Sequence, residues 1–422
     1  MKIKVKQAPF EKVMQLKRPK RKKVKKPNIL LTTIVRILAA AELKRVKFTY
    51  TEIDMDKVGN KPCLILMNHS SFIDLKIVSK IFYPKKYNIV CTSDGFVGKE
   101  WLMRLLGCIP TNKFITDIRL ALYMKDAFKK GCSVLMYPEA SYTFDGCNGV
   151  LPSRLGVLIK KLGVPVVTII TKGAFSYDPL YNCLQKRHNV PVSAQVKCLL
   201  TTEQTEQLST EQIDNMLNEE FTFDNFRWQQ QNKIKIVDEF RADGLNRILY
   251  KCPHCKAEGY TRGQGENLTC NNCGKIYHLD EYGYITAFDR DSAFVHIPDW
   301  YNYQRRQVRE EILQGKYKLD IQVDICMMVN YKAIYKVGEG RLTHDVNGFV
   351  LDGCEGELHY EQSPLSCYSL YSDYYWYEIG DVICIGNKDA LYYCFPKNCG
   401  DVVAKTRLAV EELYKLKKSK QI

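Results

Sequence analysis

A histidine and an aspartate five positions apart follow directly after a short apolar run in this sequence. The apolar run is 63–67, and the pair is His69 and Asp74. On one continuous helix, residues five apart point about 140° away from each other. The two side chains can therefore meet only if His69 lies in a loop and Asp74 lies in the first turn of the next helix, where the helix dipole favours an acid. Asp74 would then hold one ring nitrogen, and the other nitrogen would take a proton from a substrate hydroxyl.

The residues of this segment leave two alternatives open. With 7 histidines in 422 residues, such a spacing also arises by chance, and His69 is then an ordinary loop histidine bonded to a backbone carbonyl. Ser70 and Ser71 directly follow the histidine, and a serine beside a histidine can act as a nucleophile. The order of the segments that follow favours the His–Asp pair as a general base.

Three further segments follow 68–74, which reads NHSSFID. They are 98–102 (GKEWL) with Gly107 and Lys113 after it, 137–142 (YPEASY) and 164–167 (VPVV). Together the four segments resemble the sequence blocks of the glycerolipid acyltransferases, the 1-acylglycerol-3-phosphate acyltransferase family, over residues 28–225. The resemblance implies transfer of an acyl group from acyl-CoA or acyl carrier protein to a hydroxyl of a lysophospholipid such as lysophosphatidate, without a covalent enzyme intermediate.

The same resemblance implies a role for individual residues. It makes His69 the general base and Asp74 its partner. It assigns acceptor binding to four residues: Lys99, Lys113, Glu139 and Ser141.

The third block departs from the family pattern at three positions. Ala140 stands where the family usually has glycine, Ser141 replaces a threonine and Tyr142 replaces an arginine. If the position of Ala140 requires a positive φ, the alanine is strained by roughly 1 kcal/mol. Losing the arginine removes a phosphate contact, so the acceptor headgroup is less certain than the reaction type. Four basic residues are candidates to replace it: Lys99, Arg104, Lys113 and Arg154.

Four cysteines form a second strong pattern, far from the first. Cys252 and Cys255 are separated by two residues, as are Cys270 and Cys273, and fourteen residues lie between the pairs. This spacing is typical of a tetrahedral zinc site with four thiolates, and the segment resembles a zinc ribbon. The alternatives are a redox pair, or His278 in place of one cysteine. The zinc would replace a core too small to fold alone; the other interpretation of a ribbon is nucleic-acid or protein recognition.

Basic charge is concentrated at the N-terminus. Residues 1–26 hold 12 Lys and Arg and one Glu, so they carry +11 of the formal net charge of +15. The apolar positions of 29–46 recur at helical spacing, but this segment is too short and too charged to span a bilayer, which needs about 20 apolar residues. Arm and helix together predict an interfacial anchor on an anionic membrane surface; alternatively the helix packs on the catalytic domain. No nucleic acid is expected, because the arm has little aromatic interleaving for base stacking.

The periodicity predicts the domains. Strand-like runs (63–67, 87–91, 133–137, 164–171) alternate with helix-like runs (97–106, 116–130, 155–162), which indicates an α/β acyltransferase domain, a mixed sheet covered by helices. After residue 290, short β-rich runs end in an amphipathic helix over 401–418, an order similar to a pleckstrin-homology or GRAM module. The predicted division is a basic arm (1–27), the acyltransferase domain (28–230), the ribbon (231–290) and a β-rich domain (291–422).

The sequence thus predicts a cytoplasmic acyltransferase, peripheral on the inner face of a membrane. The rival from another class is a non-catalytic membrane scaffold, in which the altered third block marks a dead site. A third interpretation is a ribbon protein that binds nucleic acid.

Overall fold

The computed structural model describes residues 3–20, 22–115 and 118–422. The described strands, numbered in chain order, are β1 Val5–Gln7, β2 Thr49–Ile53, β3 Leu64–Met67, β4 Tyr87–Thr92, β5 Cys108–Thr111, β6 Ser133–Met136, β7 Val166–Lys172, β8 Ser193–Leu200, β9 Thr261–Gln264, β10 Asn267–Cys270, β11 Ile276–Leu279, β12 Ile285–Ala287, β13 Leu319–Met328, β14 Ile334–Asp345, β15 Gly348–Gly353, β16 Leu358–Gln362, β17 Tyr371–Trp376, β18 Gly380–Gly386 and β19 Leu391–Pro396. The described α-helices are α1 Phe10–Met14, α2 Ile29–Arg45, α3 Asp74–Phe82, α4 Glu100–Leu105, α5 Ile118–Lys129, α6 Leu155–Leu162, α7 Ala174–Tyr177, α8 Thr202–Gln207, α9 Thr210–Glu220, α10 Asn225–Gln231, α11 Ile297–Leu313 and α12 Val403–Lys418.

The first sheet has seven strands in the order β2-β8-β7-β3-β6-β4-β5. It is mixed, because β7 and β8 run antiparallel while the other described pairs are parallel. Its inner strands β3 and β6 are buried at every residue, which explains why both are continuous apolar runs and not alternating ones. The predicted α/β architecture is found here. Three of the four predicted strands begin and end within one residue of the predicted bounds.

Some helices of this half begin at a side-chain cap that the sequence supplies. Ser209 accepts a hydrogen bond from the Gln212 amide, and the Gln212 side chain bonds back to the Ser209 amide, so α9 starts with a complete capping box. Helix α6 ends at Gly163, whose φ of 61° suits the left-handed C-terminal position. The predicted helix 116–130 is found as α5; residues 116 and 117 lie outside the described residues.

Two further sheets follow, and they are antiparallel except where β1 pairs parallel to β14. Strands β9 to β12 form a four-stranded sheet around the four cysteines. The third sheet follows the order β16-β15-β14-β13-β19-β18-β17, and β1 adds to it alongside β14. Helices α11 and α12 pack on each other and share one hydrophobic core with this sheet and the ribbon. The β-rich region closed by a C-terminal helix is therefore present as predicted.

The basic N-terminal segment is folded onto both halves of the chain. Its strand β1 belongs to the third sheet, and Val24 is buried against the first domain, where its amide donates to Asp126 at 3.2 Å. Lys22 forms a 2.8 Å ion pair with Glu100 at the start of α4. Over the described ranges, none of the helices has the length and apolar character needed to cross a membrane.

Candidate active site

His69 and Asp74 meet in the arrangement that their spacing predicts. His69 lies in the loop after β3, Asp74 is the first residue of α3, and Nδ1 of the ring lies 3.0 Å from Oδ2 of the carboxyl group. The same oxygen accepts hydrogen bonds from the amides of Ser70 at 2.8 Å and Ser71 at 3.1 Å. Asp74 is fully buried. The loop and the helix terminus thus fix the carboxyl group, and the carboxyl group orients the imidazole.

Two tyrosine rings enclose the imidazole. The ring of Tyr137 stacks on His69 at a centroid distance of 3.9 Å, and the ring of Tyr142 lies 4.0 Å away. Two rings this close to one imidazole must occupy its opposite faces. Burial, together with the charge of Lys113, holds the pKa of His69 well below its usual range. The imidazole is therefore neutral at physiological pH. A neutral imidazole whose Nδ1–H donates to Asp74 has a free lone pair on Nε2, as a base requires.

Glu139 lies beneath the same loop. Its Oε2 accepts the His69 amide at 3.2 Å, and the Gly149 amide also donates to it. Burial raises the pKa of Glu139 to about 7. Ser141 is buried nearby, and its hydroxyl has no hydrogen-bond partner among the described residues. Both residues thus line the loop that carries the base.

Ala140 adopts the left-handed conformation that the sequence analysis considered. Its φ is 58°, and its amide closes a turn by donating to the Tyr137 carbonyl at 3.1 Å. A side chain in this region costs roughly 1 kcal/mol relative to glycine. The alanine packs in the cluster that contains Trp376 and Tyr377 of the β-rich domain, so these contacts offset the strain.

The two lysines assigned to the acceptor differ in their surroundings. Lys113 lies with its ammonium group 4.2 Å from the ring centroid of Tyr371, a residue of the β-rich domain, and it acts electrostatically on His69. Lys99 is the N-terminal cap residue of α4. Burial lowers the pKa of Lys99, and the charge of Asp94 acts in the opposite direction. The structure therefore brings Lys113 towards the His69 site, and it places Lys99 beside Asp94.

Comparison with known proteins shows which family the part of the chain around His69 is similar to. Residues 36–172 match the family model described as Acyltransferase. This matched part of the chain is therefore similar to an acyltransferase domain. This domain holds His69, Asp74, Lys99, Lys113, Glu139 and Ser141 within the matched residues.

Two plant proteins are similar to the acyltransferase domain. One is the chloroplastic 1-acyl-sn-glycerol-3-phosphate acyltransferase BAT2 of Brassica napus, 28% identical over 125 residues, which are 29% of this chain and 36% of that protein. The other is the chloroplastic 1-acyl-sn-glycerol-3-phosphate acyltransferase LPAT1 of Arabidopsis thaliana, 26% identical, covering 29% of this chain and 35% of that protein. The chain thus spans little more than a third of the length of either relative.

A solved structure was also matched. It is the 1-acyl-sn-glycerophosphate acyltransferase PlsC from Thermotoga maritima, with 14% sequence identity and a TM-score of 0.35, covering 45% of this chain and 76% of that chain.

The four cysteines converge as their spacing predicts. Their sulfur atoms all lie within 4.8 Å of one another, with 3.9 Å between Cys252 and Cys273 and 3.7 Å between Cys255 and Cys270. Four sulfurs at about 2.3 Å from one tetrahedral ion would be about 3.8 Å apart, so the donor set fits zinc. Backbone amides of Asn272 and Cys273 point at the sulfur of Cys270, and Gly274 takes the turn with a φ of 73°.

Several residues around His69 carry no local signal in the sequence. Tyr371 and Trp376 of β17 both donate to the buried carboxyl group of Asp94, the latter at 3.3 Å. Arg407 of α12 donates to the backbone carbonyl of Tyr142 at 3.3 Å. The β-rich domain therefore packs directly against the acyltransferase domain at the candidate site, and His69 retains 15% exposure of its side chain.

The pH dependence of transfer follows from the Asp74 carboxyl group. Burial raises the pKa of Asp74 to about 8, although the amides of Ser70 and Ser71 act to lower it. An ionised Asp74 stabilises the imidazolium that forms when His69 takes a proton. We therefore expect kcat/KM to rise with pH through about 8 and to level off above it. A profile that is flat or falls between about pH 6.5 and 9.5 would contradict this role.

Proposed function

We propose that this protein transfers an acyl group from an acyl thioester, acyl-CoA or acyl carrier protein, to a hydroxyl group of a lysophospholipid such as lysophosphatidate. The observation that carries the proposal is the 3.0 Å contact between His69 Nδ1 and a buried, amide-bonded Asp74 inside an acyltransferase domain. The names of both plant relatives support lysophosphatidate as the acceptor.

The chemistry requires only one base. The Nε2 atom of His69 removes the proton from the acceptor hydroxyl as that oxygen attacks the thioester carbonyl. Asp74 stabilises the resulting imidazolium, which then gives its proton to the departing thiolate. The products are the diacyl lipid and the free thiol, so no protein nucleophile is needed. This agrees with the positions of Ser70 and Ser71, whose amides are used to hold Asp74.

Release of the thiol gives a direct test of the reaction. With acyl-CoA present, we expect free CoA to appear only when a lysophospholipid is added, and in equal amount to the diacyl product. Thiol release that does not depend on the acceptor would indicate hydrolysis and would contradict transfer.

A structural zinc ion belongs to the same proposal. The four cysteine sulfurs fit one tetrahedral ion, and such an ion would tie β10 to the loop before β9. Tyr277 of this sheet packs on Trp300 of α11 with a centroid distance of 4.8 Å. The ribbon would thereby support the helices behind the candidate site.

We further propose that the protein lies on an anionic membrane surface, at the cytoplasmic inner face. The support is helix α2, which buries Ala39 and Leu43 on its domain but exposes a second apolar face. That face carries Leu30 (72% exposed), Ile34 (51%), Ile37 (66%) and Leu38 (73%). These positions share one side of a helix. The two alternatives for this helix, packing and anchoring, are compatible in this arrangement.

A charge placed on this face should release the protein from vesicles. We expect the double variant Leu30→Glu, Leu38→Glu to lose roughly a hundredfold in binding to vesicles of mixed phosphatidylcholine and phosphatidylglycerol, since each buried leucine contributes about 1.5–3 kcal/mol. The matched control is Leu313→Glu with Leu365→Glu, which are 51% and 53% exposed elsewhere. Equal losses in both double variants, measured by co-sedimentation, would contradict the proposed surface.

A further inference from the structure

A buried arginine of the C-terminal helix lies against the candidate active site. Arg407 belongs to α12 and is 5% exposed. Its Nη1 donates to the carbonyl of Tyr142 at 3.3 Å, and its guanidinium group lies 4.3 Å from the ring centroid of Phe144. The ring of Tyr142 in turn packs on His69 at 4.0 Å. A single residue therefore separates this guanidinium group from the proposed base.

The positive charge of Arg407 is only partly matched by its neighbours. Its Nε lies 3.3 Å from Glu411, but the same carboxylate is held more closely by Arg305 and by Ser369, each at 2.7 Å. One carboxylate thus serves two guanidinium groups. Within the described ranges, Nη2 of Arg407 makes no hydrogen bond. A buried charge with incomplete pairing is costly, and an anionic ligand would relieve that cost.

A second cation approaches the same site. Lys113 rests over the ring of Tyr371 at 4.2 Å, and no carboxylate of the described residues forms an ion pair with it. Burial lowers the pKa of Lys113, the charges of Asp373 and Asp94 act to raise it, and the charge of Arg407 acts to lower it. Lys113 therefore lies near Arg407 as well as near these two carboxyl groups. Lys113 also acts on His69, and Arg407 acts on Glu139. Both charges therefore act on residues of the candidate active site.

We propose that Arg407, with Lys113, binds the anionic phosphate headgroup of the lysophospholipid, so that the β-rich domain completes the acceptor site of the acyltransferase domain. This inference rests on the proposed acyl transfer. Arginine suits the role, because its planar fork can bind two phosphate oxygens at once. The position of Tyr142 supplies no positive side chain, and Arg407 brings one to its backbone from the other domain.

The other candidates from the sequence fit this role less well. Arg104 is engaged by Glu100 at 2.8 Å. Arg154 is exposed at the N-terminal end of α6.

The test compares two acceptors that carry the same acyl chain, lysophosphatidate and monoacylglycerol. For Arg407→Gln we expect the KM for lysophosphatidate to rise roughly ten- to a hundredfold, while transfer to monoacylglycerol keeps the rate of the unmodified protein. Arg407→Lys keeps the charge without the fork and should fall between the two. The control is Arg309→Gln, because Arg309 also pairs with α12, through Glu412 at 3.1 Å, but is 36% exposed.

A binding measurement separates this inference from the proposed reaction. Calorimetry with lysophosphatidate is done on His69→Gln protein, with and without Arg407→Gln. A loss of lysophosphatidate affinity only in the double variant supports the inference. If no acceptor is turned over in the assay, the proposed reaction is contradicted, but this binding result still supports the inference. Unchanged lysophosphatidate affinity in a folded double variant, or equal losses for both acceptors in the assay, would overturn it. If Arg407→Gln does not fold, Arg407→Lys decides by the same two comparisons.

Discussion

Replacing His69 with alanine is expected to lower kcat/KM for acyl transfer by about a thousandfold or more. A positioned general base contributes typically ~10²–10⁴-fold, and no described side chain other than His69 contacts Asp74 with a titratable nitrogen. Folding and vesicle binding should remain as in the unmodified protein, because α2 lies outside the site. The measurement is initial-rate transfer to lysophosphatidate, with the unfolding temperature recorded in parallel.

The chain supplies a matched control for this variant. His188 and Asp238 form a second His–Asp pair at 2.6 Å, but the His188 side chain is 75% exposed. His188→Ala should therefore leave transfer unchanged. Transfer that survives in His69→Ala, or that falls equally in both variants, would show that His69 is not the base.

Replacing Cys270 with serine is expected to have the largest effect on stability. Cys270 is fully buried among the four sulfurs, and a structural zinc in such sites contributes about 10–16 kcal/mol of apparent binding free energy. Loss of one ligand removes much of this. Because Leu268 and Tyr277 belong to the same hydrophobic cluster as Trp300, we expect the free energy of unfolding of the ribbon and of the helices packed on it to fall together.

Zinc content and chemical unfolding measure this prediction. The unmodified protein should hold one zinc per chain, and a chelator should lower its stability as Cys270→Ser does. Cys399→Ser is the control, because Cys399 is exposed and lies outside the cluster. A zinc-free protein whose stability is indifferent to Cys270→Ser would contradict the proposed metal site.

Much of the acyltransferase domain could be predicted because its inner strands are short apolar runs. The predicted helix 155–162 coincides with α6. Two of the strands that the periodicity did not predict, β2 and β5, lie at the edges of the first sheet. All five residues of β2 are exposed, and β5 has four residues including Pro110. An edge strand buries little, so its residues need not be apolar.

In the β-rich domain, the sequence did not predict strand β14, because the composition of this segment is not typical of a strand. Strand β14 spans twelve residues, but its sequence holds Gly338, Gly340 and several charged residues, and only four of the twelve are buried. Its pairing with β13 shifts register between Ile325 and Cys326, next to these glycines. Gly340 lies close to Gly353 on β15. A Cβ at either of these two positions would meet backbone within 3 Å, which explains why both are glycine. Tertiary packing, not local propensity, selects the strand there.

The candidate site also has one part that the sequence predicts and one part that it does not. His69 and Asp74 are five residues apart, so their contact is a local property of a loop and a helix start. Arg407 and Tyr142 are 265 residues apart in the chain, and only the docking of the two domains brings them together. A single sequence holds no spacing rule for such a pair, which is why Arg407 was not among the residues considered to replace the missing arginine.

The most direct test of the central claim is product formation by purified, zinc-loaded protein in mixed micelles. Acyl-CoA and acyl carrier protein donors are offered with a panel of lysophospholipids, and the lipids are analysed by mass spectrometry. We predict a diacyl product, with lysophosphatidate as the preferred acceptor. Folded protein that forms no diacyl lipid with any donor and acceptor would contradict the account and favour a non-catalytic membrane scaffold.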